Sequence, residues 1–383
     1  MLEEIITLER NMKLEFGKLL HKKTNHKCLY PNCNNNSILS HSISKSTLNN
    51  IAKNNDVIFQ KFNRAEFTLN DFLEPKKINM ELKNININSA STFKGFCEEH
   101  DNNIFESIDN KGILTLRDIY LQLYRTSAKQ YFLNNMTKKA ELKIFQEEYY
   151  TNEEFEQNKV INLENIVLLL NDLLVDFPEL EQQFSLKNSE VLWLKPFSKH
   201  VPVRDVQIMF KKLSVKYPIV LETSYTFKIN QEYHSSLVIL LPTKEETLLF
   251  ILCHKDAVPQ YTPHFQSELK ILNFIESLIL TDSEFYLDPR EFKMWDKEKI
   301  NIIEQDLYFL YERKFLQEYD ISIFDNIRKQ ILKNQSTEIQ EHENNKINNK
   351  PKRLDLKTRF WDLGQSIELN RRKMQNTTKQ SSQ

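Results

Sequence analysis

The sequence predicts an α+β chain: a small cysteine-bearing module of short strands and one helix, then a helical region, then an antiparallel sheet with C-terminal helices. Three observations carry this. Helical spacing of apolar residues dominates 1–22 and 113–175, strand-like alternation replaces it after 200, and a turn-rich, asparagine-rich stretch lies between the first helix and the second helical region.

In order, residues 1–22 form one helix, with Leu2, Ile5, Ile6, Met12, Leu14, Phe16 and Leu19 mostly at helical spacing. Residues 23–112 are the module. Residues 113–183 are the helical region, carrying "ILTLRDIYLQLYRTSAKQYFL" and "NLENIVLLLNDLLVDF", with Pro178 marking its end. Residues 184–333 form an α+β domain. In it "PIVLETSYTFKI" alternates as a half-buried strand, and "SSLVILLP" and "ETLLFILC" make a central hairpin. One helix covers roughly 263–280, and another begins at "LDPREF". There Asp288 caps, Pro289 takes the first helical position and Glu291 closes a capping box. Residues 334–383 read as a polar, basic, disordered tail, with ten Lys or Arg against three Asp or Glu from 346 onward. That excess suits a solubilising tail or an arm on nucleic-acid backbone. Within it, Phe360, Trp361 and Leu363 mark a short element that docks on this chain or on a partner.

With 383 residues the chain holds two or three domains, and 40% hydrophobic against 27% charged residues is ordinary for a globular protein. Four glycines, Gly17, Gly95, Gly112 and Gly364, cannot assemble a P-loop or a dinucleotide fingerprint. The start lacks the grammar of a signal peptide, and "TLLFILC" is too short to span a bilayer. A cytoplasmic protein with no membrane partner is expected. In a reducing compartment the four cysteines do not make a disulfide framework. Cys253, inside an apolar run, reads as a small core residue.

The other three cysteines fall in two stretches, "HKCLYPNCNNNSILSHSISKS" and "GFCEEHDNNIF". Cys28 and Cys33 place two thiolates on a tight turn made by Pro31 and Asn32, and Cys97 with His100 forms a second pair at knuckle spacing. Cys3His is a standard structural set for Zn2+. The alternative is that the cysteines are buried small side chains and His100 a surface helix residue. His41 sits in a short strand, while Asp101 starts a helix and shares a face with Ile104, Phe105 and Ile108. Packing of that face on the strand hairpin brings Asp101 toward His41, although Asp101 also serves as a capping acid. His200, His234, His254 and His264 show no ligand spacing and are expected to be structural or exposed. Arg117, Arg125 and Lys129 either contact phosphates or form a solvated helix face.

The order of cysteine pair, strand histidine, second zinc pair at a helix start and following acid resembles the ββα-metal, or HNH, nuclease module with flanking zinc knuckles. The resemblance covers "SHSI" and "CEEHD", about 75 residues, with His100 in place of a last cysteine. It implies His41 as general base and a catalytic Mg2+ or Mn2+ on Asp101, with Asn102 and Asn103 as further ligand candidates. It also implies a structural zinc on Cys28, Cys33, Cys97 and His100. Lys45, Arg117, Arg125 and Lys129 would contact nucleic acid, DNA ranked above RNA. Ser40 stands where many members carry an acid or histidine, and the sixty-three residues between Cys33 and Cys97 must hold an insertion. Similar pairings occur in bacterial proteins suspected in phage defence. The alternative is a non-catalytic zinc module binding nucleic acid or a protein, the partner engaging the central sheet or the C-terminal tail.

Overall fold

The computed structural model describes residues 2–21, 23–62, 80–145, 153–176, 191–194, 205–229, 232–314 and 316–363, with positions 78 and 365. It is an α+β fold. An eight-stranded sheet, every described pairing of which is antiparallel, is covered by helices on both faces.

The strands in chain order are β1 (Ser40–His41), β2 (Asp56–Phe62), β3 (Met80–Asn86), β4 (Thr92–Phe93), β5 (Val191–Leu194), β6 (Val206–Leu213), β7 (Ile219–Ile229), β8 (Glu232–Pro242), β9 (Thr247–His254) and β10 (Glu284–Leu287). The large sheet runs β3-β2-β10-β7-β8-β9-β6-β5, and β1 pairs separately with β4, Ser40 opposite Phe93 and His41 opposite Thr92. The expected β8–β9 hairpin sits in the middle, with Leu237 opposite Leu252.

Alternating side chains of these strands feed two cores. Phe210, Ile239, Phe250 and Tyr286 face one layer, while Met209, Leu240, Ile251, Cys253 and Phe285 face the other. Burial pushes the Cys253 thiol up to about 12, which makes it an inert core residue.

The first layer contains the cysteine module with α1 (Leu2–Leu19), α2 (Lys45–Asn49), α3 (Glu98–Asn110), α4 (Leu116–Phe145) and α5 (Glu153–Asp176). The second contains α6 (Glu268–Ile279), α7 (Lys297–Tyr308) and α8 (Asp325–Leu332). Ser267 caps α6 and Asp296 caps α7, each accepting from the backbone N–H three residues on. Asp288 accepts from Arg290 N as expected, but only a four-residue turn follows, Pro289–Phe292.

Three expectations need correction. The insertion between Cys33 and Cys97 does not stay in the module: β2 and β3 pair with each other and β2 joins β10, so 23–112 and 184–333 share one sheet. The sequence contains no long alternating run to announce β10, which spans only four residues between a helix and a turn. The first half of β7 is buried on both faces, Glu222 included, because α4 covers the side expected to meet water.

Finally, residues 334–363 are not a disordered tail. Thr337–Asn348 forms α9 and residues 356–363 form α10. Their cations meet acids of the second layer: Arg353 pairs with Asp306 at 2.6 Å and Asp320 at 2.7 Å, and Arg359 with Glu312 at 2.7 Å. Buried Arg328 of α8 joins Glu276 of α6 to Glu343 of α9. Phe360 is fully buried against Tyr308 and Phe309, whereas Trp361 is exposed. Opposite charge plus one aromatic anchor docks what composition alone presents as a free tail.

Candidate metal centre

Cys28 and Cys33 lie on a tight turn. Asn32 takes the left-handed conformation there, φ 62°, and Cys33 N donates to Tyr30 O at 3.1 Å. The turn is laced to the segment before α3, with Leu29 N donating to Gly95 O at 2.9 Å and Ile38 N to Phe96 O at 2.7 Å. Cys97 is the residue at which α3 begins, and His100 follows in its first turn.

The four ligand atoms lie within 4.8 Å of one another. Cys33 Sγ is 3.9 Å from Cys97 Sγ, and His100 Nδ1 is 3.5 Å from Cys28 Sγ and 3.1 Å from Cys97 Sγ. Tetrahedral Zn2+, with Zn–S about 2.3 Å and Zn–N about 2.0 Å, sets S···S edges near ~3.8 Å and S···N edges near ~3.5 Å. The residues fit the ion.

The surroundings treat the thiols differently. Cys97 N and Tyr30 N point at Cys28 Sγ, at 3.2 and 3.5 Å. Although burial opposes it, the His100 backbone N–H, the neighbouring thiols and the Asn35 amide pull Cys97 below the usual thiol range. Burial instead pushes Cys28 up to about 12, so this thiol needs the metal's charge to ionise. Tyr30 stacks on the His100 ring at 4.0 Å and fixes its orientation. Four protein donors would leave a bound ion no open position, the arrangement of structural rather than catalytic zinc.

Gly95 is there for space. A Cβ at this position would lie 2.3 Å from the Phe93 ring. Gly95→Ala is therefore expected to destabilise the protein by about 1–3 kcal/mol through forced movement of Phe93, read as a lower midpoint in urea.

His41, on β1, is half-buried with Nε2 3.1 Å from Ile87 O. A carbonyl only accepts, so Nε2 carries the proton and Nδ1 keeps its lone pair. Burial lowers the pKa of His41, helped by Lys45 and Arg125, while the Ile87 carbonyl and Asp101 act in the opposite sense. Asp101 is thus within electrostatic reach, but among the described residues no hydrogen bond joins it to His41. Its Oδ1 is 3.3 Å from Arg125, which also holds Asp109 at 2.7 Å and lies over the Phe105 ring. Phe105 packs on Phe96 and Tyr124, so α3 leans on α4 rather than on the β1–β4 ladder alone.

Asn102 and Asn103 are exposed. For a divalent Mg2+ or Mn2+ Asp101 offers one carboxylate, and one carboxylate with substrate phosphates and water is the minimum by which Mg2+ is held.

The basic residues divide differently from expectation. Lys45 is exposed at the start of α2. Arg117 donates to Leu174 O at 2.8 Å. Arg125 and Lys129 are buried and do not form a phosphate-binding face. Their helix is covered by α3 on one side and by the sheet on the other, so their charges are answered by acids of this chain.

Lys129 contacts Glu222 and lies 2.6 Å from Glu284 and 3.3 Å from Ser42 Oγ. Burial works against its charge, but the two carboxylates outweigh it and hold Lys129 above the usual lysine range. Ser42 Oγ also donates to Glu222 at 2.7 Å, and Ser91 N donates to Tyr286 OH. This polar network, next in sequence to His41, joins the cysteine module to α4 and the sheet. Sequence reasoning missed it because its bonded pairs lie up to 195 positions apart.

No family model matches the chain, and no curated protein or solved structure is significantly similar to it. Among the described residues no helix is long and apolar enough to cross a membrane. Of the histidines expected to be structural, His200 lies outside the described residues. His264 is tilted against Phe274 at 5.0 Å, and His234 and His254 stack on each other at 4.0 Å.

Proposed function

We propose that the chain is a metal-dependent nuclease, hydrolysing phosphodiester bonds of DNA ahead of RNA, with a structural zinc on Cys28, Cys33, Cys97 and His100. The observation that carries this reading is His41: a half-buried imidazole, protonated on Nε2 and open on Nδ1, within the field of Asp101.

In this reading His41 Nδ1 takes a proton from the attacking water, and the Ile87 carbonyl holds Nε2–H as the ring becomes cationic. Burial keeps the ring neutral before that step. Arg125 orients Asp101, and exposed Lys45 meets substrate phosphate. Mg2+ or Mn2+, on Asp101 with substrate oxygens and water, would supply electrophilic stabilisation of the phosphoryl group. Zinc takes no part in the chemistry.

A second reading is favoured by the same Asp101–Arg125 ion pair, which occupies the acid: a non-catalytic zinc module that binds nucleic acid or a protein partner. Cleavage assays on DNA and RNA with Mg2+ or Mn2+ separate the two. The nuclease reading expects His41→Ala to lower the rate at least ~100-fold. Its pH profile should have an acid limb below the usual histidine value of about 6.5, because the neutral form is the active one and burial lowers the pKa. Stoichiometric zinc without cleavage under either metal supports the binding module, and cleavage that survives His41→Ala sinks the mechanism.

A further inference from the structure

We propose that the chain carries a second transition-metal site, formed by His234, His254 and Asp256 and independent of the Cys3His centre. The three residues offer two imidazole nitrogens and one carboxylate oxygen, and one ligand atom from each lies within 4.8 Å of the others. None of them belongs to the zinc centre or to the surroundings of His41.

The backbone brings them together. His234 is near the start of β8 and His254 is the last residue of β9. Asp256 sits in the turn that follows, Lys255–Ala257, which His254 itself caps. That turn is pinned from outside: Lys255 N donates to Asp205 O at 2.7 Å, and the Lys255 ammonium pairs with Asp205 at 2.8 Å. The donors therefore stand on strand ends and a fixed turn rather than on a loose loop. Asp256 Oδ2 is 3.5 Å from His254 Nδ1, and Glu232 Oε2, exposed at the start of β8, is 3.8 Å from His234 Nε2 and offers a fourth donor atom.

The donor set specifies the class of ion. Imidazole suits Zn2+, Co2+, Ni2+ and Fe2+ far better than Mg2+ or Ca2+, and two histidines with one carboxylate leave coordination positions open to water or an anionic ligand. The site differs in kind from the closed Cys3His centre and should exchange its ion more readily. The rings now stack at 4.0 Å with 17° between their planes. One ion in the plane of both rings requires them to splay, and at His254 Nδ1 it replaces a long 3.3 Å hydrogen bond from Asp256 N.

The test uses the full chain with zinc already loaded on the cysteine centre, titrated with Co2+ or Ni2+ in a calorimeter. A second equivalent is expected to bind. With Co2+ it should give ligand-field absorption without a thiolate charge-transfer band, which separates it from displacement at Cys28, Cys33 and Cys97. His234→Gln, His254→Gln and Asp256→Asn should each weaken that equivalent more than tenfold, while each variant retains its first zinc as proof of folding. The proposal is overturned if the wild type takes up no second ion below about 1 mM, or if the second ion binds all three variants as tightly as the wild type.

Discussion

Stripping zinc from Cys28, Cys33, Cys97 and His100, or replacing Cys97 by Ser, is expected to unfold the cysteine module while the centre of the large sheet survives. Away from β2 and β3, which belong to the large sheet, and from the Ser42–Ser91 contacts, the cysteine turn has few bonds of its own. The module's own ladder is two residues per strand, and the turn at Cys28 meets the segment before α3 through single backbone bonds at Leu29 and Ile38. Binding of a structural zinc contributes roughly 10–16 kcal/mol in small zinc peptides at neutral pH, comparable with or above the whole net stability of a typical domain, about 5–15 kcal/mol. By contrast β7, β8 and β9 keep the second core, with α6, α7 and α8 packed against them. Hydrogen exchange before and after chelation should show protection lost over 28–43 and 92–105 and retained over 237–252. Re-adding Zn2+ should restore it. Protection unchanged in protein shown to be free of zinc would remove the structural role of the site.

How much of this was legible in the sequence depends on how local each feature is. The Cys3His cluster was readable because each pair sits within one turn, and only their meeting across a gap of 64 positions had to be inferred. The β8–β9 hairpin was readable because its runs are contiguous and apolar. The partition of the sheet was not: nothing in "DVIFQKF" says that it pairs with a strand more than two hundred positions away, as Ile58 does with Leu287. The tail was misread because charge and polarity signal solvation only when no complementary surface is waiting. Asp306, Asp320 and Glu312 are such a surface, and no local pattern discloses it. The same limit applies to Arg125 and Lys129, whose spacing on α4 suits a solvated cationic face as well as a buried one.

Lys129→Met is expected to lower stability by about 3–5 kcal/mol. The lysine lies in a fully buried position against Glu222, with Glu284 and Ser42 beside it. Its removal leaves the Glu222 carboxylate with Ser42 as its main partner in a site closed to water. Repair should come from the acid rather than from solution conditions. Pairing Lys129→Met with Glu222→Leu removes both charges and should recover much of the loss, with a coupling energy of a few kcal/mol in a double-mutant cycle. A phosphate-contacting lysine behaves otherwise. Its loss leaves the urea midpoint nearly unchanged, weakens nucleic-acid binding across sequences and lowers the salt slope by about one unit. Measuring both on the same variant decides between the two roles. The network also abuts the candidate site, since Ser42 follows His41 directly and Gln122 donates to the Ser42 carbonyl at 3.0 Å. A variant that keeps the fold but loosens this contact, Gln122→Ala, should alter any His41-dependent cleavage without touching zinc content. The buried charges then act as a positioning device, setting β1, and with it His41, against the sheet.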